Sequence, residues 1–288
     1  MAIFGLGLIT HGAKIIIVMK FIILVSTFFV STLCTQAIDA PVSESIGSYT
    51  AGCIRNSSAL ESEGKGFQVI RLSRGRYYGN TEMISFIESL SESVSTELNG
   101  LLLIADISQQ TGGPIPDDHS SHQIGLDADI LLWQHPIAKQ RTLTNNEREH
   151  IHPQSVLTQD ETAVDEFKWN NVNAYILKLA SSDPRVDRIF INPVIKKKLC
   201  REYPDAKWLN KLRPWYGHDG HFHVRLKCPK ENYLCESQNT IDTGGNGCGS
   251  DLASWFRSDG KIKAKGKSGP SVQKKLPPQC MSIVYGQR

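Results

Sequence analysis

Five of the nine histidines in this 288-residue chain fall in two short clusters that also carry carboxylates. The first reads His119-Ser-Ser-His122-Gln-Ile-Gly-Leu-Asp127-Ala-Asp129, and the second Trp215-Tyr-Gly-His218-Asp-Gly-His221-Phe-His223-Val-Arg225. Imidazole nitrogens with a carboxylate, and a position left for water, are the donor set of a catalytic zinc site. Calcium asks for more oxygens than these segments gather. Taken singly, His-x-His is more often a surface accident and Asp-x-Asp a turn cap. Together, on one chain, they point to catalysis.

Such side chains need rigid elements beneath them. On a strand alternate residues share a face, so His221 and His223 point one way while Phe222 and Val224 turn into the core. The two imidazoles then stand about 7 Å apart, near enough for one to bind a metal and its neighbour to act on what the metal binds. The same period puts Asp127 and Asp129 on one face, with Ala128 and Ile130 on the other.

Around these segments the pattern predicts an α+β domain. Met83, Ile84, Phe86, Ile87, Leu90 and Val94 have helical spacing within 81–98, with Asn80 as cap and Gly100 past the end. Leu101–Ile107 reads as a buried strand, followed by a Gly-Gly-Pro loop at 112–114. Residues 134–168 are polar and read as a surface excursion. Val172–Ala180 is helical, Val186–Ile191 a strand, Val194–Cys200 a short helix and His221–Leu226 a strand. Beyond Cys228 regular structure fades.

Composition narrows the classes. The chain is 40% apolar and 21% charged with a formal charge of +3, too small an excess to suggest nucleic acid, and no base-reading motif is present. Met19-Lys20 followed by the apolar run from Phe21 has the form of a secretory signal, with Ala37 at the cleavage point and Met19 as the natural start. Phe21–Leu33 is short for a membrane span of about 20 residues, so no stable insertion is expected after cleavage. The expected organisation is a signal over 1–37 and one domain over 38–288. Six cysteines remain after the signal: Cys53, Cys200, Cys228, Cys235, Cys248 and Cys280. An even number behind a signal reads as a disulfide framework in an oxidising space, although fifteen pairings are open. Lys261, Lys263, Lys265, Lys267, Lys274 and Lys275 make 257–279 basic, which reads first as a solvated tail and second as attraction to an acidic polymer.

The motifs also carry a resemblance. Ser120-x-His122-x-x-Gly125-x-Asp127-x-Asp129 with His221-x-His223 resembles the zinc peptidases that include lysostaphin-type enzymes and D-Ala-D-Ala peptidases. Ser121-His122-Gln123, Gly125-Leu126-Asp127, Arg76-Tyr77-Tyr78-Gly79, Asp187-Arg188-Ile189-Phe190, Arg213-Pro214-Trp215 and His223-Val224-Arg225 make it most similar to the penicillin-insensitive murein endopeptidases, from about Cys53 to Cys280. The resemblance implies zinc held by His122, Asp129 and His223, with His119 as an auxiliary ligand, His221 as catalytic base and His218 assisting. It implies a small, mostly antiparallel sheet carrying the ligands, flanked by helices and disulfide-tied extensions, and pairs Cys53 with Cys280, Cys200 with Cys248 and Cys228 with Cys235. It further implies a periplasmic enzyme that cuts D-alanyl–meso-diaminopimelyl cross-links of peptidoglycan and is indifferent to beta-lactams. A D,D-carboxypeptidase or dipeptidase on the same site, or a wall-binding module with structural zinc, are the alternatives. Of the family's further metal contacts in the middle loop, Asp160 stands at one position, but Ala163 stands where the family has a histidine.

Overall fold

The computed structural model describes residues 42–115, 119–241, 245–266 and 274–286. The signal segment, with its candidate cleavage point at Ala37, lies outside the described residues, as does Lys267. No helix among the described residues is long and apolar enough to cross a membrane.

The strands in chain order are β1 (Glu44–Ser48), β2 (Ala51–Arg55), β3 (Ser58–Ala59), β4 (Glu63–Gly64), β5 (Phe67–Val69), β6 (Tyr78–Gly79), β7 (Leu102–Ile104), β8 (Asp127–Leu131), β9 (Val186–Ile191), β10 (Leu212–Pro214) and β11 (His221–Leu226). The helices are α1 (Thr81–Leu98), α2 (Asn145–His150), α3 (Asn171–Ser182), α4 (Pro193–Glu202), α5 (Ser250–Ala253) and α6 (Pro278–Tyr285). Seven strands form the central sheet in the order β10-β9-β11-β8-β7-β5-β4. Only the β10–β9 and β5–β7 pairs are parallel, so the fold is the expected α+β type with a mostly antiparallel sheet.

The long helix α1 forms as its periodicity requires. Asn80 accepts from the Glu82 amide at its start, and Met83, Phe86, Ile87, Leu90 and Val94 are buried against the sheet. Its end differs by one residue: Asn99, not Gly100, takes the left-handed conformation with φ of 47°. Asn tolerates that conformation better than most side chains. Ala128 and Ile130 of β8 and Phe222 and Val224 of β11 are fully buried in the same cluster as α1 and α3, which fixes which face of each strand turns away from it.

Two regions hold more structure than their composition suggests. Within the 134–168 excursion, Thr144 and Glu147 form a capping box that starts α2. Ala138, Leu143 and Ile151 bury against Ile70, Leu103 and Leu131 in a second, smaller core. That core covers the Leu131 end of the face that carries Asp127 and Asp129. Apolar residues spread singly through a polar stretch have no periodicity, so this packing is invisible until the chain folds. Beyond Cys228, α5 and α6 appear, and α6 packs on β2, where Cys280 is bonded to Cys53. The other disulfides join Cys200 to Cys248 and Cys228 to Cys235. The predicted strand 101–107 shortens to Leu102–Ile104, because Ala105–Ile107 leaves regular pairing as it reaches the site.

Lys196 is fully buried on α4, its Nζ donating to the carbonyls of Leu209 and Asn246 (2.9 Å for the latter). Burial, with the charge of Arg213, pushes its pKa down to about 7. Between that value and the ordinary lysine value near 10.4, the unfolded chain holds the proton and the folded one does not, so stability gains as pH rises through this window. Urea unfolding at pH 7 and 9.5 checks this. The wild type should gain about 3 kcal/mol more over the interval than Lys196→Met; equal gains would refute it.

Candidate active site

The register of two strands builds the centre of the site. His223 pairs with Asp129, Arg225 with Asp127 and His221 with Leu131, so the polar residues of β8 and β11 share one face. A slip of one residue would turn all of them into the core. Asp129 Oδ1 lies 3.2 Å from His223 Nδ1, 3.5 Å from His122 Nε2 and 3.7 Å from His221 Nε2. Among the described residues, Asp129 Oδ1, His122 Nε2 and His223 Nε2 are buried without a hydrogen-bond partner. Orphaned buried polar atoms are rare, and each demands an explanation.

His122 reaches this point through a strained turn. Its φ is 66°, held by its amide donating to Asp127 Oδ2 at 3.0 Å, while its Nδ1 meets the Ile107 carbonyl at 2.8 Å and leaves Nε2 facing Asp129. Gly125 makes the turn possible: φ is 70°, and a Cβ there would stand 2.7 Å from Ile54 Cδ1 and 2.8 Å from the Asn80 amide. Only glycine combines that conformation with that proximity.

Asp127 is a support and not part of the orphaned set. It accepts two bonds from Arg225, at 2.6 and 2.9 Å, and its Oδ1 lies 3.1 Å from His223 Nε2. Arg225 is itself held between the rings of Tyr49 and Phe190, 4.2 and 5.2 Å from their centroids. Phe190 in turn meets His223 edge-on at 5.2 Å. The sequence reading placed Asp127 on this face without a task; its partner Arg225, two residues past His223, carries the signal that could have given it one.

Electrostatics separates the histidines. Burial opposes charge on His122, but the Asp129 carboxylate overrides it and lifts the pKa to about 9. Burial lowers His221 below its ordinary value, against the pull of Asp129. His218 is pushed down to about 4 by burial and by His221 and His223, and its Nδ1 meets the Tyr216 carbonyl at 2.8 Å. A neutral His218 therefore donates from Nδ1 and presents a lone pair at Nε2. Despite the cost of burial, Asp127 and Asp129 are both held well below the usual carboxylate range, by Arg225 and His223 for the first and by His122 and His221 for the second.

His119 joins from the rim. Donor atoms of His119, His122 and Asp129 lie within 4.8 Å of one another, a second grouping that shares two members with the set around His223. The His119 ring is engaged elsewhere too, with Nε2 at 3.0 Å from Asp106 Oδ2. Asp106 went unnoticed in the sequence because it closes an apolar run with no motif around it. Asp160 does not join this group: its carboxylate is exposed and accepts from the Thr158 and Thr162 hydroxyls at 2.7 and 2.8 Å, closing a local turn.

This face has relatives. The family model described as penicillin-insensitive murein endopeptidase matches residues 45–285, which takes in both histidine clusters and all six disulfide-bonded cysteines. A penicillin-insensitive murein endopeptidase of Haemophilus influenzae is 42% identical over 245 residues, covering 83% of this chain and 82% of its own. Those of Salmonella paratyphi C and Yersinia enterocolitica are 37% and 36% identical, each over 86% of this chain and 90% and 89% of their own lengths. With two thirds of each partner exceeded and the match running through both histidine clusters, the chain belongs to the penicillin-insensitive murein endopeptidase family.

Proposed function

We propose that the protein is a zinc-dependent murein endopeptidase, exported by residues 1–37, that hydrolyses D-alanyl–meso-diaminopimelyl cross-links of peptidoglycan in the periplasm. The observation that carries this is the pair of orphaned buried atoms, His122 Nε2 and Asp129 Oδ1, converging with His223 Nδ1. Two imidazole nitrogens and one carboxylate oxygen fit zinc, and the remaining side faces His221 and His218. His122, Asp129 and His223 would hold the ion, with His119 as an auxiliary ligand. When bound, it supplies Lewis-acid polarisation of the peptide carbonyl and of the attacking water.

The protein's own residues divide the rest. His221, kept neutral by burial, is ready at neutral pH to take a proton at Nε2 from water and return it to the leaving amine. His218 presents an unprotonated Nε2, so it can stabilise developing negative charge only after receiving a proton. Its ring centroid lies 5.1 Å from that of His221. Asp127, clamped by Arg225, lies 3.1 Å from His223 Nε2, while the ring's Nδ1 faces Asp129 at 3.2 Å. No serine or cysteine nucleophile enters, so a beta-lactam has nothing to acylate.

Mass spectrometry of muropeptides released from purified cell wall tests this. Cross-linked dimers should disappear and monomers accumulate; a chelator should stop the conversion and added zinc restore it. Conversion that ignores the chelator would remove the metal, and release only of terminal D-alanine from monomers would replace the endopeptidase with a carboxypeptidase.

A further inference from the structure

The basic segment after α5 folds into a small hairpin. Phe256 and Ile262 face each other in an antiparallel bridge, with the Arg257 amide donating to the Lys261 carbonyl at 2.9 Å and the Lys263 amide to the Trp255 carbonyl at 2.8 Å. Gly260 closes the turn with φ of 80°. Phe256 and Ile262 pack against the main core, and Lys197 of α4 holds its Nζ 4.6 Å from the Phe256 ring centroid. Side chains alternate along extended chain and cross-strand partners share a face, so Arg257 with Lys261, and Trp255 with Lys263, turn to the other side. Arg257, Lys261, Lys263 and Lys265 are all exposed.

The carboxylates of this segment are used otherwise. Asp259 Oδ2 meets Arg257 at 3.0 Å, its Oδ1 accepts from the Lys261 amide, and Asp251 acts on Arg213. Among the described residues, none pairs as an anion with Lys261, Lys263 or Lys265. The hairpin also adjoins the histidines. The Trp255 ring lies 4.9 Å from Tyr216 and 6.3 Å from Trp215, and Trp215, 47% exposed, meets Phe190 at 5.7 Å. Phe190 pairs with His223 across β9 and β11, and the two rings are 5.2 Å apart. Three ring contacts thus lead from the basic hairpin to the catalytic face of the sheet.

We propose that the 255–265 hairpin is a second binding surface for murein, on which Lys261, Lys263 and Lys265 contact free carboxylates of stem peptides outside the cross-link being cut. This rests on the murein reading, because neighbouring stems supply a polymer of closely spaced carboxylates beside each cross-link. Lysines at every second residue of extended chain repeat about every 7 Å, which sets out a row of positive charge. Their ammonium groups are point charges on flexible stems, suited to a partner whose anions vary in position. Exposed charges at the rim of a site raise the local concentration of an oppositely charged polymer. The hairpin holds the wall near the histidines and takes no part in the chemistry.

Sedimentation of the purified protein with insoluble cell-wall sacculi, on ice, reads binding apart from turnover. The wild type should bind native sacculi about tenfold more tightly than sacculi whose carboxylates have been converted to amides, the sum of three exposed charge contacts of ordinary strength. The triple variant Lys261→Gln, Lys263→Gln, Lys265→Gln should lose that preference, and arginine at the same three positions should keep it. Added salt should erase it in the wild type. Lys265→Gln alone, beyond the last backbone bond of the hairpin, should cost about twofold and decides the matter if the triple variant does not fold. An undiminished preference in the glutamine variants, a wild type indifferent to amidation, or tighter binding to lipopolysaccharide vesicles than to sacculi would overturn the surface. Cleavage of soluble cross-linked dimers is scored separately: lysine-dependent wall binding without cleavage would sink the endopeptidase reading and leave the surface standing, and cleavage with lysine-independent binding would do the reverse.

Discussion

Asp129→Ala should leave a protein that neither retains zinc nor digests cross-linked muropeptides, with activity down by at least about four orders of magnitude. Asp129 Oδ1 is the atom that His122, His221 and His223 have in common, at 3.5, 3.7 and 3.2 Å. Without it three imidazoles face one another with no anion among them. The ion would then have two imidazoles and no carboxylate to hold it. His122→Ala and His223→Ala should reproduce the loss, because each removes one of the converging donors. Metal content by plasma mass spectrometry, beside the muropeptide assay and near-ultraviolet circular dichroism, separates a lost ion from a lost fold. A folded Asp129→Ala protein that keeps both zinc and activity would disprove the assignment.

His221→Ala should part the two readouts. Zinc content should stay at the wild-type level while turnover falls about 10²–10⁴-fold, the range for removing a positioned general base. The geometry supports the separation: His221 sits at the edge of the donor group, partly exposed, whereas the His122 side chain is 1% exposed. Its position opposite Leu131 in β8 also means that truncation removes no partner of the Asp127–Arg225 clamp. Loss of zinc together with activity would move His221 from base to ligand, and undiminished turnover would pass the role of base to another group.

Much of the centre was legible because strand alternation is a strong rule. His221 and His223 on one face, and Asp127 and Asp129 on another strand's matching face, follow from period two alone. Their opposition across β8 and β11 does not, since register is set by long-range pairing that local pattern leaves open. The left-handed turn at His122 was likewise hidden: a histidine at positive φ is uncommon, and only the Asp127 side chain beneath its amide explains it. Asp106 was missed for a different reason. It belongs to no spacing motif, and its meaning appears only when the end of β7 reaches His119. The 134–168 excursion misled by composition, as its few apolar residues are spread too thinly to show a face yet bury together against Leu103 and Leu131.

The bridge from Cys53 to Cys280 spans 227 residues, and every strand that carries a site residue lies inside that ring. Its consequence is one of timing. A chain made from its N-terminus offers Cys53 four other thiols before Cys280 exists, and oxidation as they emerge would join Cys53 to Cys200. The native bond therefore demands either that oxidation waits for the β1–β2 hairpin to receive α6, or that an early wrong bond is later exchanged by a thiolate. Maturation of this protein should depend on an isomerase far more than the short Cys228–Cys235 loop alone would suggest.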